Sequence, residues 1–236
     1  MMKTFQCLPE RLAEVRERVT DAARRSGRDA REVTIVAVTK KLGMDAVLAA
    51  ASCGQRDFGE NYVQEAIGKM RLLADSPAAG QLRWHLLGRV QSNKGAIAAR
   101  NFAVLHAVDS MSAVRAIARA SQESGVAPQV FLEIRLSDGA ERGGVPVADA
   151  ERFLREAALA GPLRFDGLMA VADPAAEARS QFAAVRQLRD RLLALEIPGA
   201  SLTQLSMGMS GDFEDAIAEG ATMVRLGTVI FGNRPH

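Results

Sequence analysis

The chain has few of the residues that build covalent or metal-stabilised folds. Its 236 residues include only two cysteines, Cys7 and Cys53. Two thiols are too few for a disulfide framework or for a cage of thiolate metal ligands. The three histidines, His85, His106 and His236, lack the spacing of a zinc site. We therefore expect neither a disulfide-rich secreted domain nor a bound metal.

Long apolar runs and clusters of like charge are also absent. No stretch approaches the roughly 20 apolar residues that a membrane span needs. Residues 1–6 lead directly into charged residues and lack the apolar segment of a signal peptide. The 30 lysines and arginines are nearly balanced by 28 aspartates and glutamates, and the two signs are interspersed. We therefore expect a cytoplasmic protein that binds neither nucleic acid nor membranes.

Two hydrophobic periods alternate along the chain. Leu12, Val15, Val19 and Ala22 share one face of a first helix, after which the pattern predicts eight strands, seven of them followed by a clear helix. The predicted strands are 33–39, 56–59, 83–87, 103–108, 129–136, 164–171, 201–205 and 222–226. The predicted helices are 44–53, 62–74, 93–100, 111–124, 147–160, 175–195 and 212–219.

Eight such units predict a closed (β/α)8 (TIM) barrel with an extra N-terminal helix, because closure removes both exposed sheet edges. An open, doubly wound parallel sheet is the competing architecture. The chain has no linker rich in glycine, serine or proline, and barrels of this kind routinely fill about 200–250 residues. We therefore expect residues 1–236 to form one domain.

The end of the first strand carries an unusual pair of lysines. The sequence has only five lysines, and Lys40 and Lys41 fall together after the apolar residues 33–39. Partial desolvation there would lower the pKa of a lysine and increase its neutral fraction. A neutral amine forms a Schiff base with an aldehyde or ketone. Two solvated lysines closing a strand are the alternative.

The last two strand ends have the composition of a phosphate site. Phosphate sites in such barrels favour the loops after strands seven and eight. Residues 206–211 supply hydroxyls and glycines after strand seven, and Gly227 and Thr228 follow strand eight. Ser210 and Asp212 have the alternative role of capping a helix.

Arg225 lies on the last strand beside this proposed phosphate site. It is either a partner in a structural ion pair or a contact to a ligand atom. A Schiff-base lysine opposite a phosphate site fits a sugar phosphate, as in an aldolase, or pyridoxal 5′-phosphate (PLP). Spacing alone does not separate these two ligands.

Five motifs follow one another along the chain, namely AVTK (37–40), FGENYVQE (58–65), HLLGRVQSNK (85–94), LSMGMS (205–210) and VRLGTVIFG (224–232). Together they resemble the YggS/PROSC family of PLP homeostasis proteins, whose barrel is related to the N-terminal barrel of alanine racemase. The resemblance extends over nearly the whole chain.

This resemblance implies a role for each matching residue. Lys40, which follows a small hydroxyl residue, would carry PLP as an internal aldimine. Ser206, Gly227 and Thr228 would hold the phosphate, Arg225 would face the pyridine nitrogen, and the ring pocket would be lined by Asn61, His85 and Met207. A guanidinium beside that nitrogen disfavours its protonation, which leaves PLP a weaker electron sink.

The stretch after the fifth strand departs from the family pattern. Arg142 replaces the usual lysine there, and the surroundings of Arg135 are unusual. Any contact or secondary PLP site that the family builds in this stretch is therefore in doubt for this chain.

Cofactor storage and catalysis make different demands on the chain. A two-base racemase needs a second acid/base opposite its lysine, and in alanine racemase that group comes from a C-terminal domain that we expect to be missing here. The sole tyrosine, Tyr62, resembles a packing residue at a helix start. We therefore expect a monomer that holds PLP and supplies PLP-dependent apo-enzymes, with little turnover. The alternatives are a low-activity PLP-dependent amino-acid racemase and a Schiff-base aldolase acting on a sugar phosphate.

Overall fold

The structure, a computed structural model, describes residues 7–74, 79–137, 143–161 and 163–232. The strands in these ranges are β1 (Thr34–Val38), β2 (Asp57–Glu60), β3 (Arg83–Arg89), β4 (Val104–Val108), β5 (Gln129–Arg135), β6 (Val145–Pro146), β7 (Phe165–Ala170), β8 (Ala200–Ser206) and β9 (Met223–Leu226). The α-helices are α1 (Leu8–Arg25), α2 (Met44–Ser52), α3 (Val63–Leu73), α4 (Ser92–Asn101), α5 (Met111–Ser124), α6 (Ala150–Ala158), α7 (Ala178–Leu193), α8 (Phe213–Ala218) and α9 (Thr228–Phe231). Short 3-10 helices cover Ala30–Glu32, Ala79–Gln81 and Val147–Asp149.

The strands close into a parallel barrel. The first strand, β1, pairs with both β2 and β9, and β4 pairs with β5, so eight strands of the described chain form an unbroken ring. This confirms the predicted (β/α)8 barrel and excludes the open sheet. The two-residue strand β6 pairs with the end of β5 outside this ring, and it is too short to produce a period in the sequence.

The N-terminal helix behaves as its pattern predicts. Leu12, Val15, Val19 and Ala22 are all buried on one face of α1, which packs against α8 and α9. After β9 the chain forms the single helical turn α9. Because α1 packs against α9, it covers this turn from outside.

The core has two apolar parts. The larger lies between the strands and the surrounding helices. The smaller is formed by Val36, Val104, Ala107, Phe131, Met169 and Met223 and fills part of the barrel interior. Because strands of a barrel are covered on both sides, β4 is buried at all five positions. No helix among the described residues is long and apolar enough to span a membrane.

Candidate functional site

A cavity of about 1100 Å³ opens at the carboxyl ends of the strands. That end of the barrel is where the active sites of this architecture lie. Five of the predicted site residues line it together, namely Lys40, Asn61, Arg225, Gly227 and Thr228. The remaining lining residues are Val38, Lys41, Leu87, Met169, Val171, Met209, Ser210 and Gly211.

A buried ammonium group holds the backbone just before Lys40. The Lys69 Nζ donates to the carbonyl oxygen of Thr39 at 2.8 Å, to Glu60 Oε1 at 2.7 Å and to Glu65 Oε1 at 2.8 Å. These three bonds use all the donors that a lysine has. Thr39 Oγ1 also donates to Glu60 Oε1, at 2.6 Å. The strand end that precedes Lys40 is therefore fixed by charge-assisted bonds.

The same network also holds the residue after Lys40. The backbone N–H of Lys41 donates to Glu65 Oε1 at 2.6 Å, and Lys41 has a left-handed backbone, with φ of 61°. Such a conformation is costly for a residue other than glycine, so the Glu65 contact stabilises a strained turn. Glu60 is fully buried, and this burial raises the pKa of its carboxyl group despite the bonds from Lys69 and Thr39.

The cavity rim beside Lys40 is built from the loops after β8 and β9, because β9 pairs with β1 and β8 pairs with β9. Ser210 Oγ accepts the backbone N–H groups of Gly227, at 3.3 Å, and Val229, at 3.4 Å, which ties the two loops together. The turn that starts the first loop requires glycine at 208, because φ is +94° and a Cβ would lie 2.6 Å from that of Ala216.

Arg225 provides the buried positive charge of the cavity. Its Nη1 donates to the carbonyl oxygen of Ser206 at 2.6 Å and to Ser206 Oγ at 2.7 Å, and its Nη2 donates to the carbonyl oxygen of Ala170 at 2.9 Å. These contacts leave the Nε–H and one Nη2–H without a bond to the described residues. Burial lowers the pKa of Arg225 to about 10, so the group is still charged at neutral pH.

Three predicted site residues are not part of the cavity lining. His85, Ser206 and Met207 are fully buried, and none of them lines the cavity. Ser206 is the last residue of β8, and its hydroxyl lies inside the barrel, bonded to Arg225 and His106. Of the serines in the motif 205–210, the one that lines the cavity is Ser210, which belongs to the predicted phosphate loop and had helix capping as its alternative role.

Two acidic residues, Asp109 just after β4 and Glu133 in β5, influence each other. Asp109 accepts from Arg89 Nε at 2.9 Å and from the backbone N–H of Gly144 at 3.0 Å. Burial, and next the charge of Asp109, raise the pKa of Glu133 to about 7. Of the two residues that depart from the family pattern, Arg135 ends β5 in register with Pro146, whereas Arg142 lies outside the described residues.

The closed barrel, with a lysine after its first strand and a hydroxyl rim at its last two, defines a protein of the alanine racemase N-terminal domain class. Residues 11–235 match that family. A relative from Pseudomonas aeruginosa, named pyridoxal phosphate homeostasis protein, is 40% identical over 97% of this chain and 96% of its own. The Escherichia coli K12 protein of the same name is 37% identical over 95% of this chain and 96% of its own.

A solved structure agrees with these sequence relatives. PipY of Synechococcus elongatus, determined with PLP bound, is 36% identical to this chain, with a TM-score of 0.82. The match covers 95% of this chain and 100% of PipY. The chain belongs to the family of pyridoxal phosphate homeostasis proteins.

Proposed function

We propose that this protein binds PLP in the cavity at the carboxyl end of the barrel, covalently through Lys40, and takes part in PLP homeostasis. The observation that supports this most is that Lys40, Arg225 and the rim of Ser210, Gly227 and Thr228 line one cavity. An amine, a buried cation and a hydroxyl rim are the donor set that an aldehyde with a phosphate tail requires.

The phosphate would be held by Ser210, Gly227 and Thr228. These residues supply hydroxyl groups and a glycine backbone at the start of α9. The hydroxyl of Ser210 replaces that of Ser206 in this proposal, because Ser206 Oγ already contacts Arg225 and His106 inside the barrel. A phosphate there would also lie in the field of the Arg225 guanidinium.

Lys40 would bind the aldehyde carbon of PLP, and Arg225 would contact its pyridine ring. When bound, PLP supplies an aldehyde with which an amine condenses covalently, losing water. The turn from Thr39 to Lys41 holds the Lys40 backbone at the cavity, and the two N–H groups of Arg225 not bonded to the described residues would face the ring nitrogen. Because the guanidinium is a donor only, it would leave that nitrogen unprotonated.

The lining of the cavity favours holding over turnover. Lys40 and Lys41 are the lysines among the described residues that line it. None of these lining residues is a histidine, aspartate, glutamate, tyrosine or cysteine. Tyr62 is 56% exposed and does not line the cavity. A racemase needs an acid/base on each face of the substrate carbon. Lys41 is the only such candidate beside Lys40, which makes storage of the cofactor the better-supported role.

Adjacent lysines allow a matched test of the covalent contact. The purified protein is incubated with PLP, reduced with borohydride and digested, and the labelled peptide is identified by mass spectrometry. We expect the label on Lys40 in the wild type and in Lys41→Arg, and no label at this position in Lys40→Arg. Labelling of Lys41 alone, or equal labelling of all lysines, would contradict the proposal.

The wider physiological role belongs to the same proposal. Two of the residues that line the cavity, Val171 and Met209, are exposed and apolar, and they would contact a PLP-dependent apo-enzyme. We propose a cytoplasmic monomer that passes PLP to such enzymes. Light scattering at micromolar concentration checks the monomer, and transfer of PLP to an apo-enzyme faster than from free solution checks delivery.

A further inference from the structure

A chain of polar side chains crosses the interior of the barrel. Asp57, the first residue of β2, accepts from His85 Nε2 at 2.9 Å, and His85 Nδ1 lies 2.9 Å from His106 Nε2. His106 Nδ1 lies 2.7 Å from Ser206 Oγ, which in turn accepts from Arg225 Nη1 at 2.7 Å. We call these five residues the interior chain. It joins the amino end of the strands to the cavity at their carboxyl end.

The donors and acceptors of the interior chain run in one direction. The direction is fixed at Asp57, because a carboxylate can only accept, so His85 carries a proton on Nε2. A neutral His85 then accepts at Nδ1 from His106 Nε2–H. A neutral His106 in turn accepts at Nδ1 from the Ser206 hydroxyl, whose oxygen accepts from Arg225. In this arrangement both histidines are neutral Nε2–H tautomers.

Packing agrees with neutral histidines. Both rings are fully buried, and His106 stacks on Phe131 with ring centroids 5.1 Å apart and planes within 5°. Burial lowers the pKa of both histidines, that of His106 by far the more. A proton on His106 would place a second cation beside Arg225 and remove the acceptor that the Ser206 hydroxyl needs.

We propose that His85, His106 and Ser206 are positioning residues for Arg225, linking its guanidinium to Asp57 and fixing it at the cavity wall. This inference rests on the proposed function only where it concerns the effect on PLP. Asp57 is the one carboxylate of the interior chain. Its side chain is 21% exposed and lies 3.8 Å from Arg83, at the end of the barrel opposite the cavity. Residues far from the cofactor thus influence how it is held.

Nitrogen-15 NMR tests the tautomers without any cofactor. In protein labelled at histidine, His236→Gln leaves two imidazoles, those of His85 and His106. We expect both to show a protonated Nε2 and an unprotonated Nδ1, unchanged between about pH 6 and pH 8. An Nδ1–H tautomer at either position, or a histidine that titrates in this range, would overturn the proposal.

A double-mutant cycle tests whether Ser206 acts through Arg225. We expect Ser206→Ala to weaken PLP binding about fivefold to twentyfold in the wild type, but less than twofold when Arg225 is already glutamine. An equal loss in both backgrounds would mean a merely structural serine and would overturn the proposal. Ser121→Ala is the matched control, because the hydroxyl of this buried serine on α5 has no hydrogen-bond partner among the described residues.

The two arms also separate this inference from the proposed function. If the wild type gives no PLP label on Lys40, the proposed function fails. The NMR experiment still tests the tautomers of His85 and His106 in the interior chain. If PLP labels Lys40 and the cycle shows no coupling, the interior chain has no influence on the cofactor and the inference alone fails.

Discussion

The ammonium group of Lys69 donates to the carbonyl oxygen of Thr39 at 2.8 Å, one residue before Lys40. The Lys69 side chain is only 8% exposed, and Glu60, its main partner, is fully buried. We expect Lys69→Met to lower the free energy of unfolding by roughly 3–5 kcal/mol, because it leaves the buried carboxylate without its cation. Urea denaturation measures this change. PLP affinity should fall about tenfold in folded protein, because the turn that carries Lys40 loosens.

Two variants serve as controls for this prediction. Adding Glu60→Gln to Lys69→Met removes the unpaired charge and should recover part of the lost stability, but not the PLP affinity. Lys94→Met on α4 removes a lysine outside the network, so its unfolding free energy should change by less than about 0.5 kcal/mol. Wild-type stability and affinity in Lys69→Met would show that the network does not hold the turn.

Glu133 gives the protein a specific dependence of stability on pH. Its ordinary pKa is 4.5, and in the folded protein burial and Asp109 raise this pKa to about 7. Between these values the folded protein keeps a proton that the unfolded chain has released. This contribution to stability is therefore complete below about pH 4.5 and is lost as the pH rises toward 7, by up to about 3 kcal/mol.

Denaturation at a series of pH values isolates the Glu133 contribution. Glu133→Gln should remove the loss between about pH 4.5 and pH 7, so that the variant exceeds the wild type most clearly at neutral pH. Glu17→Gln, which changes an exposed carboxylate on α1, should keep the wild-type profile. Parallel profiles for the wild type and Glu133→Gln would show that Glu133 titrates alike in both states.

Much of the barrel could be predicted from local pattern. Apolar runs such as 33–39, now β1, are bounded by turn residues, and the helices between them show a clear apolar face, as α1 does. The lysine, arginine and rim residues at the cavity follow from strand ends, since all eight strands of the ring point the same way.

The interior chain and the Lys69 network could not be predicted in this way. Glu65 and Lys69 are four residues apart on α3, a spacing typical of an exposed ion pair. The burial of Lys69 and the partial burial of Glu65 depend on the barrel against which α3 packs. His85 and His106 lie 21 residues apart on neighbouring strands, so only the register of β3 and β4 brings their rings together.

The sequence does not show where β8 ends, and therefore does not show which of Ser206 and Ser210 lines the cavity. Both are hydroxyls in the motif 205–210, and only the end of β8 at Ser206 decides which one reaches the cavity. We expect Ser210→Ala to weaken PLP binding about fivefold to tenfold and to leave pyridoxal, which has no phosphate, nearly unchanged. Ser206→Ala should weaken both ligands alike. Selective loss of PLP binding in Ser206→Ala would restore Ser206 as the phosphate contact.

Alanine substitutions at Gly88 and Gly68 are expected to change the free energy of unfolding in opposite directions. A Cβ on Gly88, in β3, would clash with the backbone oxygen of Asn61, which lines the cavity, whereas one on Gly68 of α3 would meet nothing within 4 Å. Gly88→Ala should therefore cost about 1–3 kcal/mol of stability and weaken PLP binding, because the Asn61 backbone has to move. Gly68→Ala should add roughly 0.5–1 kcal/mol, because it replaces a flexible residue at an exposed position of α3, and should leave PLP binding unchanged. Thermal and urea unfolding of the two variants measure both changes, and a Gly88→Ala variant as stable as the wild type would mean that the Asn61 backbone is not held against β3.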